Sequence, residues 1–211
     1  MTTHVEGTQF NHINAMPDPS IAVLKTEMRR VKRSQRRQLS PEQRAQCDRA
    51  INQHLVNFVT ESGVSSLSAF WPFDGEPDLR SSLTSLESTG MDIALPVLES
   101  GQRTSMKLHR WRQQSVMVEN QFKIPEPALE PVVETLNLDL LLIPLVAWDR
   151  KGRRLGMGAG YYDRLLTPLR AMSGPRLIGV AYGVQEVDEV PVDHFDVPLH
   201  GLISENGRIQ F

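Results

Sequence analysis

The sequence of 211 residues holds a single cysteine, Cys47. That excludes an intramolecular disulfide and a cysteine-rich metal site. No apolar run approaches the roughly 20 residues that a membrane-spanning helix needs. There is no excess of one charge: 23 Lys and Arg face 25 Asp and Glu, for a net charge of −2. The molecule as a whole therefore exerts little pull on nucleic acid. The start of the chain lacks a basic segment followed by an apolar one, so no secretory signal is visible. Neither standard phosphate-loop pattern is present: there is no G-K-[S/T] after a glycine loop and no G-x-G-x-x-G. No internal repeat is visible. A cytoplasmic protein is the expectation.

With 40% hydrophobic residues, the chain is large enough for a real core and short enough for one domain. Residues 1–19 are polar and aperiodic and include two prolines, which reads as a disordered extension carrying no chemistry. Residues 20–211 read as one α/β unit. A first helix places Ile21, Leu24, Met28 and Val31 on an apolar face, with basic residues over the rest. Ser40-Pro41-Glu42-Gln43 is a helix start, with serine as cap and proline in the first turn. Cys47 shares a stripe with Ile51, Leu55 and Phe58, so it reads as packing. Strands are expected at Val64–Trp71, Asp92–Leu98, Met106–Trp111, around Leu140–Pro144, at Arg176–Tyr182 and at an edge, Leu199–Ser204. Residues 122–127 read as an irregular connection, and 131–136 as weakly helical. Alternating strands and helices predict a three-layer α/β/α sandwich with a mainly parallel sheet, of unspecified strand order.

The densest chemistry lies between Asp139 and Arg164. The apolar run Leu140-Leu141-Leu142-Ile143 ends at Pro144. After a polar turn come Arg153 and Arg154, glycines at 156, 158 and 160, two tyrosines, Asp163, and a helical pattern running to about Met172. Glycines let backbone N–H groups approach an anion, and a helix start favours negative charge. The two arginines supply cations for phosphate, and Asp163 supplies a carboxylate for Mg²⁺. A tight strand-to-helix turn is the plainer alternative.

Other candidates are scattered. Lys25 and Arg29 sit at i and i+4, so they converge on one spot and suit a polyphosphate. A solvated helix face and a nucleic-acid-binding helix over 25–37 are the alternatives. Glu76 follows a strand, between glycine and proline, and is either a ligand acceptor or a turn carboxylate. Trp111 reads as core or as a stacking surface. Asp193, His194, Asp196 and His200 fit no zinc spacing, and no transition-metal site is expected.

The segment Arg154-Leu155-Gly156-Met157-Gly158-Ala159-Gly160-Tyr161-Tyr162-Asp163 resembles the signature of the 5-formyltetrahydrofolate cyclo-ligase family. The resemblance spans roughly residues 20–205. It is also carried by Lys25 to Arg29, Glu76 and Asp78, Leu95-Pro96, Met106 to Leu108, Ile124 to Pro127, Gln185, and Val190-Pro191 leading to Asp196. It implies a fold similar to sugar-phosphate isomerases and coenzyme A transferases. It also implies ATP-dependent closure of 5-formyltetrahydrofolate to 5,10-methenyltetrahydrofolate, with release of ADP and phosphate.

The roles that follow from the resemblance are specific. Lys25, Arg29, Arg154, Leu155, Gly156, Met157, Gly158, Ala159, Gly160, Tyr161 and Tyr162 would bind ATP. Glu76, Met157, Gly158, Ala159, Gly160 and Tyr161 would bind the folate; apart from the resemblance, Trp111 and Tyr161 are candidates for contact with the pterin or benzoyl rings. Arg154 and Tyr161 would be catalytic, and Asp163 and Asp196 would hold Mg²⁺. Some family members carry basic residues where Met157 and Ala159 stand, which shifts phosphate charge here onto Lys25, Arg29 and Arg154. Trp148 stands where phenylalanine is usual. A monomer that binds no membrane and no nucleic acid is expected. A non-catalytic RNA-binding relative using the 25–37 helix and a sugar-phosphate isomerase are the rival readings.

Overall fold

A computed structural model describes residues 19–99, 105–171, 174–193 and 196–211. The expected extension over 1–19 lies almost wholly outside them, as does His194. In chain order the elements are α1 (Pro19–Arg37), α2 (Pro41–Ser62), β1 (Ser66–Ser68), α3 (Arg80–Ser88), β2 (Asp92–Leu98), β3 (Met106–Trp111), β4 (Met117–Glu119), β5 (Pro125–Pro127), β6 (Val132–Val133), β7 (Leu140–Pro144), β8 (Ala147–Trp148), β9 (Arg154–Leu155), α4 (Tyr161–Leu166), β10 (Arg176–Val180), β11 (Gly201–Ser204) and β12 (Gly207–Gln210). Single 3-10 turns occupy Thr135–Asn137, Thr167–Ala171 and Gly183–Gln185.

The unbroken run Leu140–Ile143 becomes β7 because both of its faces are covered. Leu140 and Leu142 join a core under α2 and α3, while Leu141 and Ile143 join a second core with Leu166 of α4. The result is an α/β/α sandwich around an eight-stranded sheet ordered β12-β11-β10-β7-β1-β2-β3-β6. Strands β2, β1, β7, β10 and β11 run parallel, and β12, β3 and β6 add antiparallel margins. The parallel strands follow the 2-1-3-4-5 order of doubly wound sheets. The chain leaves β1 toward β2 on one side and returns to β7 on the other. That reversal opens a crevice beyond the carboxyl ends of β1 and β7.

Local chemistry sets most boundaries. Ser40 accepts from Gln43 N–H while the Gln43 side chain accepts from Ser40 N–H, a full capping box, and Gly63 closes α2 at φ 65°. Helix α4 stops after six residues and tightens to 3-10 at Thr167. Pro168 explains the stop, since it cannot donate to the carbonyl four residues back. The longer helix expected to about Met172 is thus replaced by a short one.

The basic helix also differs from expectation. Leu24 is exposed, together with Val23, while Lys25 and Arg36 are buried. Lys25, Arg29, Lys32 and Arg36 fall at i, i+4, i+7 and i+11, so they form one stripe. That stripe faces the protein because loop carboxylates and carbonyls wait there. Lys32 donates to the carbonyls of Val184 and Glu186, and Arg36 donates to those of Leu145 and Asp74.

Three weaker expectations are corrected as well. Residues 125–127 form a hairpin with β4 rather than an irregular link. Residues 132–133 pair with β3 rather than coiling. The final edge strand is β12, and β11 is fully buried inside it.

Candidate active site

A cavity of about 280 Å³ lies at the crevice between the ends of β1 and β7. The turn after β1 supplies Phe70, Trp71, Phe73 and Glu76, and β2 supplies Leu95 and Pro96. The β4–β5 hairpin supplies Asn120, Phe122 and Ile124, and the other wall is Arg154 with the loop from Gly156 to Asp163. Stretches remote in sequence therefore converge on one apolar, aromatic-lined space with few charges. That is the usual make-up of a small-molecule site.

One end of the cavity is anchored by Glu76. Its Oε2 accepts from Phe73 N–H at 3.2 Å, and its Oε1 lies 4.0 Å from Arg36 Nη1. Burial pushes the carboxyl up to about 7, against the opposing pull of Arg36. A carboxyl group that changes charge near neutrality inside a cavity is a mark of a functional site. Arg36, fully buried on α1, is the positioning group that sequence reasoning missed; nothing in a basic helix singles it out from its neighbours.

The other end is the glycine loop, carried between β9 and α4. Gly158 and Gly160 take positive φ, at 101° and 76°. A Cβ at Gly158 would sit 3.3 Å from the Arg29 guanidinium, so the absent side chain lets α1 close on the loop. Arg29 Nε donates to the Gly156 carbonyl at 2.9 Å. Burial pulls the Arg29 guanidinium down, and both Asp163 and Asp196 push it back up. Arg154 Nη2 meets Asp163 Oδ1 at 2.8 Å. Lys25 Nζ meets Asp196 at 2.8 Å and Asp193 at 3.0 Å. Burial acts to lower Lys25, but its bonds to Asp196 and Asp193 outweigh that and raise it.

Three cations and three carboxylates thus gather round one loop. Arg153, the other arginine of the motif, turns away to Asp149 and Glu189. Met157, Ala159, Tyr161 and Tyr162 line the cavity. Leu155 does not: its side chain is buried with Ala147 and Val190. Trp111 does not line it either. It is a core residue, tilted at 6.4 Å behind Trp71, which itself lines the cavity. The aromatic surface that the sequence placed on Trp111 is supplied by Phe70, Trp71, Phe73 and Phe122. Their only sequence signal is their clustering beside Pro72 and Pro125.

The family model described as the 5-formyltetrahydrofolate cyclo-ligase family matches residues 22–205. The chain belongs to the 5-formyltetrahydrofolate cyclo-ligase family. Membership makes it an ATP-dependent ligase. The cyclo-ligase of Haemophilus influenzae is 34% identical over 182 residues, covering 85% of this chain and 95% of that one. The cyclo-ligase of Escherichia coli K12 is 33% identical over 174 residues, covering 82% and 95%. Among solved structures, the 5,10-methenyltetrahydrofolate synthetase of Aquifex aeolicus superposes with a TM-score of 0.77 at 29% identity, covering 89% of this chain and 92% of that one. The synthetase of Mycoplasma pneumoniae gives 0.70 at 26%, covering 86% and 98%.

The described residues contain no ready-made group of three or more metal-binding side chains. Asp163 and Asp196 are each held by a cation instead. Their hard oxygen donors fit Mg²⁺, which binds through one or two carboxylates, substrate phosphates and water rather than a protein cage. Two observations bear on the RNA-binding rival. The cations of α1 are committed within the molecule, with Arg33, Arg36 and Arg37 all on Asp74. Arg30 pairs with Glu27 on its own helix. No described helix is long and apolar enough to cross a membrane.

Proposed function

We propose that the chain converts 5-formyltetrahydrofolate and ATP to 5,10-methenyltetrahydrofolate, ADP and phosphate by phosphorylating the formyl oxygen. An N-formyl group is amide-like, and N10 attacks it unproductively because the oxygen leaves badly. Transfer of the γ-phosphoryl group to that oxygen releases ADP. N10 then bonds to the formyl carbon and loses its proton, and the C–O bond breaks with the electron pair leaving on phosphate. The supporting observation is a single cavity lined by aromatic side chains, Glu76, Arg154 and the glycine loop, with Arg29, outside the lining, bonded to that loop at the Gly156 carbonyl.

Aromatic faces suit a pteridine and a benzoyl ring. The loop from Gly156 to Tyr161, with Lys25, Arg29 and Arg154, suits a triphosphate. Helix α4 is too short for its dipole to matter much, so backbone N–H groups and side-chain cations carry the anion. Asp163 and Asp196 would hold the Mg²⁺ that travels with ATP; when bound it supplies positive charge against the phosphate oxygens. Arriving phosphates compete with Asp163, Asp193 and Asp196 for Lys25 and Arg154, which frees those carboxylates. The chemistry is mostly positioning and charge neutralisation.

The test is turnover of 5-formyltetrahydrofolate, read as methenyl absorbance with and without MgATP. Methenyl product should form only with MgATP, one ADP per product. Lys25→Ala should raise the KM for ATP by about tenfold, the loss of a charge-assisted bond to phosphate. ATP-independent turnover would refute the reading.

A further inference from the structure

Buried side-chain polar atoms without a partner among the described residues are Gln35 Oε1, Arg36 Nε, Trp148 Nε1, Arg153 Nη2, Arg154 Nε and the Tyr162 hydroxyl. Only Arg154 and Tyr162 line the cavity. A buried unsatisfied polar group in a folded protein calls for an explanation, and a bound ligand supplies one. The ring of Tyr162 is anchored beneath the site, packed on the core formed by Leu141, Ile143 and Leu166. Its hydroxyl is held out of water with nothing to bond.

The hydroxyl belongs to a side chain that lines the cavity and has no partner of its own among the described residues. Burial raises the phenol, Glu76 adds to the effect and Arg154 opposes it. Both the carboxyl and the guanidinium of the cavity lining therefore act on it. Glu76 itself responds to Arg36 and Asp74. Glu76, Tyr162 and Arg154 share the lining of one cavity.

A 2-amino-4-oxopteridine bearing an N5-formyl group presents a matching edge. The 2-amino group and N3–H are adjacent donors, O4 is the next acceptor, and the formyl group on N5 lies peri to O4. A carboxylate takes the two donors, a neutral hydroxyl takes O4, and the cation meets the phosphoryl group as it reaches the formyl oxygen. We infer that the Tyr162 hydroxyl donates to the 4-oxo oxygen of the folate, setting the ring so that its formyl oxygen faces Arg154. This rests on the cavity being the folate site, and it moves the Tyr162 side chain from nucleotide binding to substrate recognition.

The test is Tyr162→Phe, which removes only the oxygen. Melting temperature is measured first, then the Kd of 5-formyltetrahydrofolate and of ATP separately by calorimetry, then the two KM values. The melting temperature should be unchanged or higher, since an unpaired buried hydroxyl is lost. The Kd and KM for the folate should rise about tenfold, as for one buried hydrogen bond, with both nucleotide constants unchanged. An unchanged folate Kd overturns the inference, and so does an ATP Kd that weakens with it. A melting temperature lowered by several degrees also overturns it, because the hydroxyl would then be paired within the fold. Wild-type protein without ATP-dependent turnover would instead refute the proposed function, so the two failures are distinguishable.

Discussion

Glu76 concentrates the site's electrostatics in one carboxyl. Arg36 from α1, and Asp74 and the Phe73 N–H from its own loop, all act on it, and it in turn raises the Tyr162 phenol of α4. Its folded pKa of about 7 exceeds its ordinary 4.5. Between those values the folded state binds more protons than the unfolded one, so stability falls as pH rises through that window. The difference amounts to about 3 kcal/mol once the pH is above 7. Glu76→Gln should therefore stabilise the fold at pH 8 and change little at pH 4, measured by denaturant midpoints. The same change should weaken folate binding by about tenfold to a hundredfold, because the accepting charge is gone. Equal stability shifts at both pH values would show that Glu76 is not a strained carboxyl. Wild-type affinity for the folate should rise with pH up to neutrality as Glu76 ionises.

Helix α1 is the element that most separates expectation from structure. An amphipathic pattern was legible in it, and Met28 of the expected apolar face packs against Ala147, Leu155 and Val190, but Leu24 is exposed and the deepest positions are the cations Lys25 and Arg36. Long cationic side chains default to solvent, and the partners that draw this stripe inward, such as Asp74, Leu145 O, Val184 O and Asp196, lie far off in sequence. Arg36 anchors the helix and holds Glu76 in reach of the charged state. Arg36→Met should cost about 3 kcal/mol in chemical denaturation, because the carbonyls of Leu145 and Asp74 lose their donor inside the protein. It should also shift the pH dependence of folate affinity upward, since Glu76 loses its counter-charge. A stable variant with unshifted pH dependence would contradict this role. Other elements were read closely. β2 and β3 begin and end where expected, because their apolar residues alternate or run unbroken between polar stretches. The hairpin of β4 and β5 was hidden by Pro125 and Pro127, which are tolerated only because the hairpin stands apart from the main sheet.

At the scale of the whole molecule, the strand order does the positioning. Pairing β1 between β2 and β7 brings Glu76 and the glycine loop, eighty residues apart or more, to one crevice. No local pattern encodes that order, because it depends on pairings between distant segments. The motif residues were therefore legible as chemistry, while the cavity that unites them, the displacement of Trp111 into the core and the pairing of each expected metal carboxylate with a cation were not. The crevice accounts for the reaction only if the nucleotide's terminal phosphate meets the folate's formyl oxygen inside it. The most direct test is to supply 5-formyltetrahydrofolate carrying oxygen-18 in the formyl group, with unlabelled MgATP, and to analyse the released phosphate by mass spectrometry. One labelled oxygen per phosphate is expected, because that oxygen leaves bonded to phosphorus. Unlabelled phosphate, with the label recovered in water, would contradict it.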